Sequence, residues 1–264
     1  MSPEGVTVCP SGAVFLTSED GQIWRSTLDG NAPSRWASLP DRQPAGITCD
    51  ERERLFVAIY GVRSGSGKAG VMRIDAPDQP AVELALPSEA SPLSSYNGVL
   101  AIPGLGVYAT DSGAGWIVLL RETSRGDVSA EVVARDILIA NGLAYDPARR
   151  TLYVASSLGM TVYSYQVSTD GTLTQPAVVA SRNRALFDGV AVDERGRVYA
   201  ADYKRGAVLR LADSQLMAEL THPASFAFRG GTLLVTDYHL NQPALEGGLY
   251  AIELGACGAL TLSR

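Results

Sequence analysis

The sequence predicts an all-β fold: a six-bladed β-propeller with four antiparallel strands per blade, built as a single domain over residues 1–264. Three observations predict it. Short apolar and β-branched runs alternate with Gly- and Asp-rich clusters along the whole chain, a strand-and-hairpin pattern with no helical period. The stretch at residues 187–211, FDGVAVDERGRVYAADYKRGAVLRL, is restated five more times. The copies begin at residues 4, 45, 97, 141, 188 and 223. That is a period of about 44 residues, inside the ~40–50 of four-stranded blades. A single such unit cannot bury both of its faces, so it must stack on its copies, and radial closure leaves few open edges.

Taken in order, the first copy reads as strands 4–8, 14–17 and 22–28, with an outer strand at 36–39. The second has strands 45–48, 55–59 and 71–75 around a long glycine-rich loop, 60–70. The third has 97–100, 106–110 and 116–120, with 121–134 as the outer strand and its lead-in. The fourth has 141–144, 151–155 and 161–167, and the fifth 190–192, 198–201 and 207–211. The sixth runs 223–226, 232–236 and 249–254, and residues 259–263 are expected to supply its outer strand.

A chain that is 46% hydrophobic holds ample apolar material for such a core. The net charge of −6 argues against a nucleic-acid partner, because no basic face is available to neutralise phosphates. The opening MSPEGVTV has no basic segment followed by an apolar one, so no signal peptide is visible. No window approaches the roughly 18–20 apolar residues of a membrane-spanning helix. Cys9, Cys49 and Cys257 lack metal-site spacing and leave one over if two pair. Reduced, packed thiols in a cytoplasmic protein are the expectation. An exposed outer strand leaves the oligomer open between monomer and dimer.

The innermost strand of each blade lines the central channel, so the residues that open those strands form a ring at one mouth. In chain order the ring is Glu4, Ala45, Asn97, Asn141, Asp188 and Pro223. Four members carry side-chain oxygens, each is followed by Gly, and no basic residue joins them. Carboxylates gathered without a partner are costly, and a divalent cation resolves the cost. Oxygen-only ligands suit Ca²⁺ first, then Mg²⁺ or Mn²⁺, with Zn²⁺ less favoured for want of His or Cys. Asn-Gly and Asp-Gly are also hairpin signals. Here they recur at the end of a long connection, and Glu4, a poor turn residue, shares the position.

The phrases Pro3-Glu4-Gly5, Tyr96-Asn97-Gly98, Ala140-Asn141-Gly142-Leu143 and Phe187-Asp188-Gly189-Val190 resemble the regucalcin/gluconolactonase family of six-bladed propellers. Asn241-Gln242-Pro243 before Glu246-Gly247-Gly248 resembles that family's last-blade phrase. The resemblance implies a divalent metal held by Glu4, Asn97, Asn141 and Asp188, and hydrolysis of a lactone, commonly a sugar lactone, beside it. Asp188, anionic and on the metal, is the candidate general base for the attacking water, or a ligand alone.

The sequence departs from that family in two places. Sugar-lactone members carry a substrate-binding Arg where this chain has Ser95, and a long charged loop where it has only residues 111–115. The segment 107–113 also resembles the strictosidine-synthase-like propellers, so a less polar lactone or ester is an alternative substrate. The loops after the second strands should line the pocket with Tyr60, Arg63 and Lys68, with Asp111, with Asp202, Tyr203 and Lys204, and with Asp237, Tyr238 and His239. Two further functions stay open: a same-fold enzyme of another reaction (condensation, isomerisation or cyclisation), and a non-catalytic, metal-stabilised binding propeller. Residues 65–70, GSGKAG, match a dinucleotide glycine pattern by letter only, since a strand and not a helix is expected after them.

Overall fold

The computed structural model describes residues 2–28, 31–62, 69–77, 79–89, 91–123, 126–239 and 247–259. Twenty-three strands and no helix occur among them. The first sheet is β1 (Pro3–Val8), β2 (Val14–Ser18), β3 (Gln22–Ser26) and β4 (Ser34–Ser38). The second is β5 (Arg42–Cys49), β6 (Leu55–Val62), β7 (Gly70–Ile74) and β8 (Val82–Glu83). The third is β9 (Tyr96–Ile102), β10 (Gly106–Asp111), β11 (Trp116–Glu122) and β12 (Val128–Ala134). The fourth is β13 (Ala140–Asp146), β14 (Thr151–Ser156), β15 (Thr161–Gln166) and β16 (Ala177–Ser181). The fifth is β17 (Phe187–Val192), β18 (Val198–Asp202), β19 (Ala207–Arg210) and β20 (Gln215–Glu219). The sixth is β21 (Pro223–Arg229), β22 (Thr232–Asp237) and β23 (Gly248–Glu253), three strands among the described residues.

Each sheet is an antiparallel meander running outward in chain order, so the repeat read from the sequence is the blade. Burial follows position in the blade. Every residue of β2, β14 and β18 is buried, because a second strand is covered on both faces. The outer strands β4 and β20 are mostly open to solvent. The core is divided among the six blade-to-blade interfaces. Phe15 and Ile23 of blade one meet Val57 and Met72 of blade two. Tyr153 and Val162 of blade four meet Phe187 and Leu209 of blade five. The ring closes where Val6, Val14 and Leu16 of blade one pack on Leu234 of blade six.

Residues 260–263, nearly all of the outer strand expected for blade six, lie outside the described residues. Ala259 N–H donates to the Val192 carbonyl (2.9 Å) and Glu194 N–H to the Cys257 carbonyl (2.8 Å), which ties 257–259 to blade five. Two expectations are corrected. Tyr60 lies inside β6, which runs on to Val62, rather than in the following loop. The second concerns the thiols: Cys9 and Cys49 are bonded to each other, and Cys257 is free. Cys9 follows β1 and Cys49 ends β5, so the channel brings the two ends side by side, with Cα atoms 5.2 Å apart. That is within disulfide reach and removes the thiol half of the argument for a cytoplasmic setting. After the glycine-rich segment 65–70, Gly70–Ile74 is a strand, as expected.

Candidate functional site

Each inner strand breaks its ladder at the ring position. The pairing slips between Pro3 and Val6, between Pro44 and Ile47, between Ala140 and Leu143, and between Phe187 and Val190. The ring residue and the glycine after it therefore occupy a bulge inside the strand, not a hairpin turn. Close approach explains the glycines. A Cβ on Gly142 would lie 2.7 Å from both the Asp188 carbonyl and the Gly189 Cα, and one on Gly98 would lie 2.5 Å from the Asn141 carbonyl. Each bulge thus rests on the backbone of the next.

Threonines on the second strands rivet neighbouring bulges together. Thr17 Oγ1 accepts from Gly5 N–H (2.8 Å) and donates to the Ala45 carbonyl (2.5 Å). Thr110 Oγ1 accepts from Gly98 N–H (2.7 Å) and donates to the Asn141 carbonyl (2.9 Å). Thr236 Oγ1 accepts from Ser225 N–H (2.9 Å) and donates to the Glu4 carbonyl (2.7 Å), joining the last blade to the first. The same register corrects the sixth ring member. Pro223 pairs with Asp237 as Pro3 pairs with Ser18, so the counterpart of Glu4 is Ala224, and Pro223 precedes the ring.

Glu4, Asn97, Asn141, Asp188 and Ala224 line one cavity of about 360 Å³, walled along its length by the inner strands. The structure thereby brings the four oxygen-bearing side chains predicted from the sequence to one space. Asn141 Nδ2 donates to Ser157 Oγ (3.1 Å), and Ser157 Oγ donates to the Phe187 carbonyl (2.6 Å). This fixes the amide against blade five. Glu4 Oε2 is buried without a hydrogen-bond partner among the described residues. Burial first, then the charges of Asp188 and Glu19, hold the Glu4 carboxyl well above the ordinary range. Burial raises the Asp188 carboxyl to about 7, against the pull of a hydrogen bond from the Asn141 side chain. No ion pair among the described residues reaches either acid. Two acids that resist ionisation, beside two amides and no cation, are a donor set short of positive charge. It fits a hard divalent ion.

Among the described residues, none of those expected to bind substrate lines that cavity. Tyr60 is half exposed, and its carbonyl accepts from Ser95 Oγ (3.1 Å). Asp111 is fully buried, and its Oδ1 accepts from Ser95 N–H (2.9 Å) and Ala114 N–H (3.0 Å), which is a loop clasp. Tyr203 stacks on His222, with ring centroids 4.7 Å apart. Tyr238 is raised strongly by burial, then by the charges of Glu19 and Glu4 and by its hydrogen bond to Glu19. His239 is buried, with its Nδ1 3.2 Å from Nδ1 of His222. Arg63 and Lys68 lie outside the described residues. Sequence reasoning passed over Glu19 and Ser157. Both follow second strands, at loop positions where no repeat signal singles them out.

Among the described residues, one cluster has three side chains of metal-binding type: Cys9, Cys49 and Glu53. Its two sulfurs are spent on each other, so it offers no thiolate. The ring is richer in donors, since its amide oxygens add to its two acids.

The chain is similar to known proteins over most of its length. The SMP-30/gluconolactonase/LRE-like region matches residues 108–239, half of the chain. The 6-deoxy-6-sulfogluconolactonase of Pseudomonas putida is 27% identical over 269 aligned residues, which cover 92% of this chain and 87% of that one. Regucalcin from Agrobacterium tumefaciens, a calcium-binding protein, matches with a TM-score of 0.72 and 20% identity, over 100% of this chain and 92% of that one. A gluconolactonase from Xanthomonas campestris matches with a TM-score of 0.71 and 20% identity, over 96% of this chain and 86% of that one. At such identities the two structures speak for the fold.

Proposed function

Because the chain belongs to the SMP-30/gluconolactonase/LRE-like family, we propose that it is a divalent-metal-dependent lactonase, hydrolysing its substrate where Glu4, Asn97, Asn141 and Asp188 converge at the channel mouth. The observation that carries this reading is the pair of buried, unneutralised acids sharing one cavity with two amides. Calcium stands first because every donor is an oxygen and because the similar regucalcin binds calcium. Magnesium, manganese and zinc are the alternatives to be tested.

Glu4, Asn97 and Asn141 would hold the ion through side-chain oxygens, and Asp188 would complete the set. When bound, the ion supplies positive charge that polarises the lactone carbonyl, stabilises the oxyanion and eases deprotonation of water. Ser157 holds the Asn141 amide nitrogen, which leaves the amide oxygen as the donor atom. Asp188 accepts the proton of the attacking water and returns it to the alkoxide that leaves as the ring opens. The sulfosugar lactone named for the Pseudomonas putida relative supports a sugar lactone as substrate. Ser95, a neutral residue before the third ring position, supports a less polar lactone or ester.

The test is a panel of sugar, aliphatic and aromatic lactones assayed with Ca²⁺, Mg²⁺, Mn²⁺ or Zn²⁺ and with excess chelator. Turnover abolished by chelator and restored by one ion is expected. A rate that chelator leaves intact refutes the metal role, and no turnover with any lactone refutes the enzyme. Tight metal binding without turnover would mark a binding propeller instead.

A further inference from the structure

Two inner strands end in cysteine at the mouth of the channel away from the ring. Cys9 follows β1 and Cys49 closes β5; both are buried, and both line the channel cavity. Cys9 stands roughly 16 Å beyond Glu4 along an extended strand, too far for the two ends to share a ligand. A third group joins the cysteines. A Glu53 carboxylate oxygen and the two sulfurs lie within 4.8 Å of one another.

Glu53 is exposed but held in place. Its Oε1 accepts Ser11 N–H (2.6 Å) and its Oε2 accepts the Ser11 hydroxyl (2.8 Å), which locks the turn after Cys49 to the turn after Cys9. Each turn is also closed on itself. Gly12 N–H donates to the Cys9 carbonyl (2.8 Å), and Asp50 Oδ1 accepts the N–H of Arg52 (2.9 Å) and of Arg54 (2.9 Å). Glu53 takes a left-handed φ of 63°, uncommon for a residue with a side chain. Each of its carboxylate oxygens keeps a second lone pair, and a disulfide has no proton to offer it. The guanidinium of Arg54 is taken by Asp50 (2.8 Å) and Glu122 (3.1 Å).

We propose that the reduced protein binds one Zn²⁺ through Cys9 Sγ, Cys49 Sγ and a Glu53 carboxylate oxygen, with water in the fourth position, independently of the ring and of the lactonase reading. A thiol reductant opens the link: two R–SH molecules give up two electrons and two protons, form their own disulfide and leave two cysteine thiols. Zn²⁺ then displaces both thiol protons to water. On a tetrahedral zinc, two sulfurs each ~2.3 Å from the metal stand about 3.8 Å apart. Side-chain rotation reaches that separation from Cα atoms 5.2 Å apart. Two thiolates select zinc, as the oxygen-only ring selects calcium. The cross-link between blades one and two therefore changes in kind with the redox setting, from a sulfur–sulfur bond to a zinc bridge. Ser11 is a positioning residue for the third ligand.

The test uses the full chain with Ca²⁺ in excess, either oxidised or reduced anaerobically with tris(carboxyethyl)phosphine that is then removed. Equilibrium dialysis should find one more Zn²⁺ per chain in the reduced protein than in the oxidised one. That ion should shield Cys9 and Cys49 from iodoacetamide and raise the Tm of the reduced chain. Co²⁺ in its place should show the thiolate charge-transfer band of a tetrahedral site. Cys9→Ser should abolish the extra binding. Ser11→Ala should weaken it about tenfold, and Glu53→Gln, which leaves both thiols in place, by more. No extra zinc on reduction, thiols that zinc leaves open to alkylation, or an affinity unchanged in Glu53→Gln overturns the proposal and leaves the pair a structural staple. Extra zinc that survives Cys9→Ser belongs elsewhere and overturns it too. If the reduced chain unfolds without metal, Zn²⁺ must restore the fold, and failure to do so is equally fatal.

Discussion

Replacing Asp188 by Asn is the sharpest perturbation of the ring. In the metal-free protein burial moves its carboxyl from an ordinary 3.8 to about 7. Between those values the folded protein keeps a proton that the unfolded chain has released. The unfolded state therefore binds fewer protons, and stability falls as pH rises through the window, with the full penalty present above it. At about 1.4 kcal/mol per pH unit the penalty reaches at most about 4 kcal/mol. For a chain of this size 1 kcal/mol moves Tm by about 2–4 °C, so the effect is roughly 10 °C. Asp188→Asn removes this titration and also relieves Glu4, which Asp188 pushes upward. In excess chelator, the Tm of wild type relative to the variant should drop by about 10 °C between pH 4 and pH 8. With saturating Ca²⁺ the sign reverses, since the ion binds the ionised ring and its benefit grows with pH. Differential scanning calorimetry of both proteins across that range decides it. Parallel Tm curves in chelator would refute the buried-acid argument, and parallel curves in Ca²⁺ would refute Asp188 as a ligand.

Three further outcomes are expected. Gly142→Ala drives a Cβ into the Asp188 carbonyl and Gly189 Cα, both backbone atoms that cannot step aside, and should cost about 1–3 kcal/mol in urea titration. An unchanged midpoint would mean that the bulges are looser than their contacts imply. Thr110→Val leaves Gly98 N–H and the Asn141 carbonyl without their shared partner and should cost about 1–3 kcal/mol, with weaker metal binding by calorimetric titration. Cys9→Ser, or a reductant, opens a link spanning 40 residues and should lower stability by about 2–4 kcal/mol. A Tm that reductant leaves unmoved would show the pair to be thiols in solution.

Blade number, strand order and four of the ring positions were legible because the repeat carries them in the chain itself. A period near 44 with Gly after each polar opener is a local pattern, and antiparallel meanders place local patterns predictably. What escaped was whatever depended on register between strands. Blade six has Ser225 where the others have Gly, so nothing marked Ala224 over Pro223 until the pairing of Pro223 with Asp237 was seen. Cys9 and Cys49 stand at nearly the same place in successive copies, a signal present in the sequence but overridden by the expectation of reduced thiols. Asp111 looked like a pocket residue because it heads a loop. Its oxygen is needed by Ser95 N–H, a demand that only the folded backbone creates.

The mechanics and the electrostatics of the ring depend on each other. Glu4 and Asp188 repel, and a pliant site would answer by letting the two backbones drift apart. Here they cannot drift, because the Glu4 carbonyl is held by Thr236 and each glycine of the first, third, fourth and fifth bulges lies against its neighbour's main chain. Repulsion that movement cannot relax must be met by a proton or by a cation. The contacts that fix the fold thus sustain the affinity for positive charge. A substitution that loosens the ring, such as Thr110→Val, should therefore lower the pH at which the acids ionise while also weakening their hold on Ca²⁺. If stability fell and metal affinity stayed whole, ring rigidity would have no part in binding, and the side chains alone would make the site.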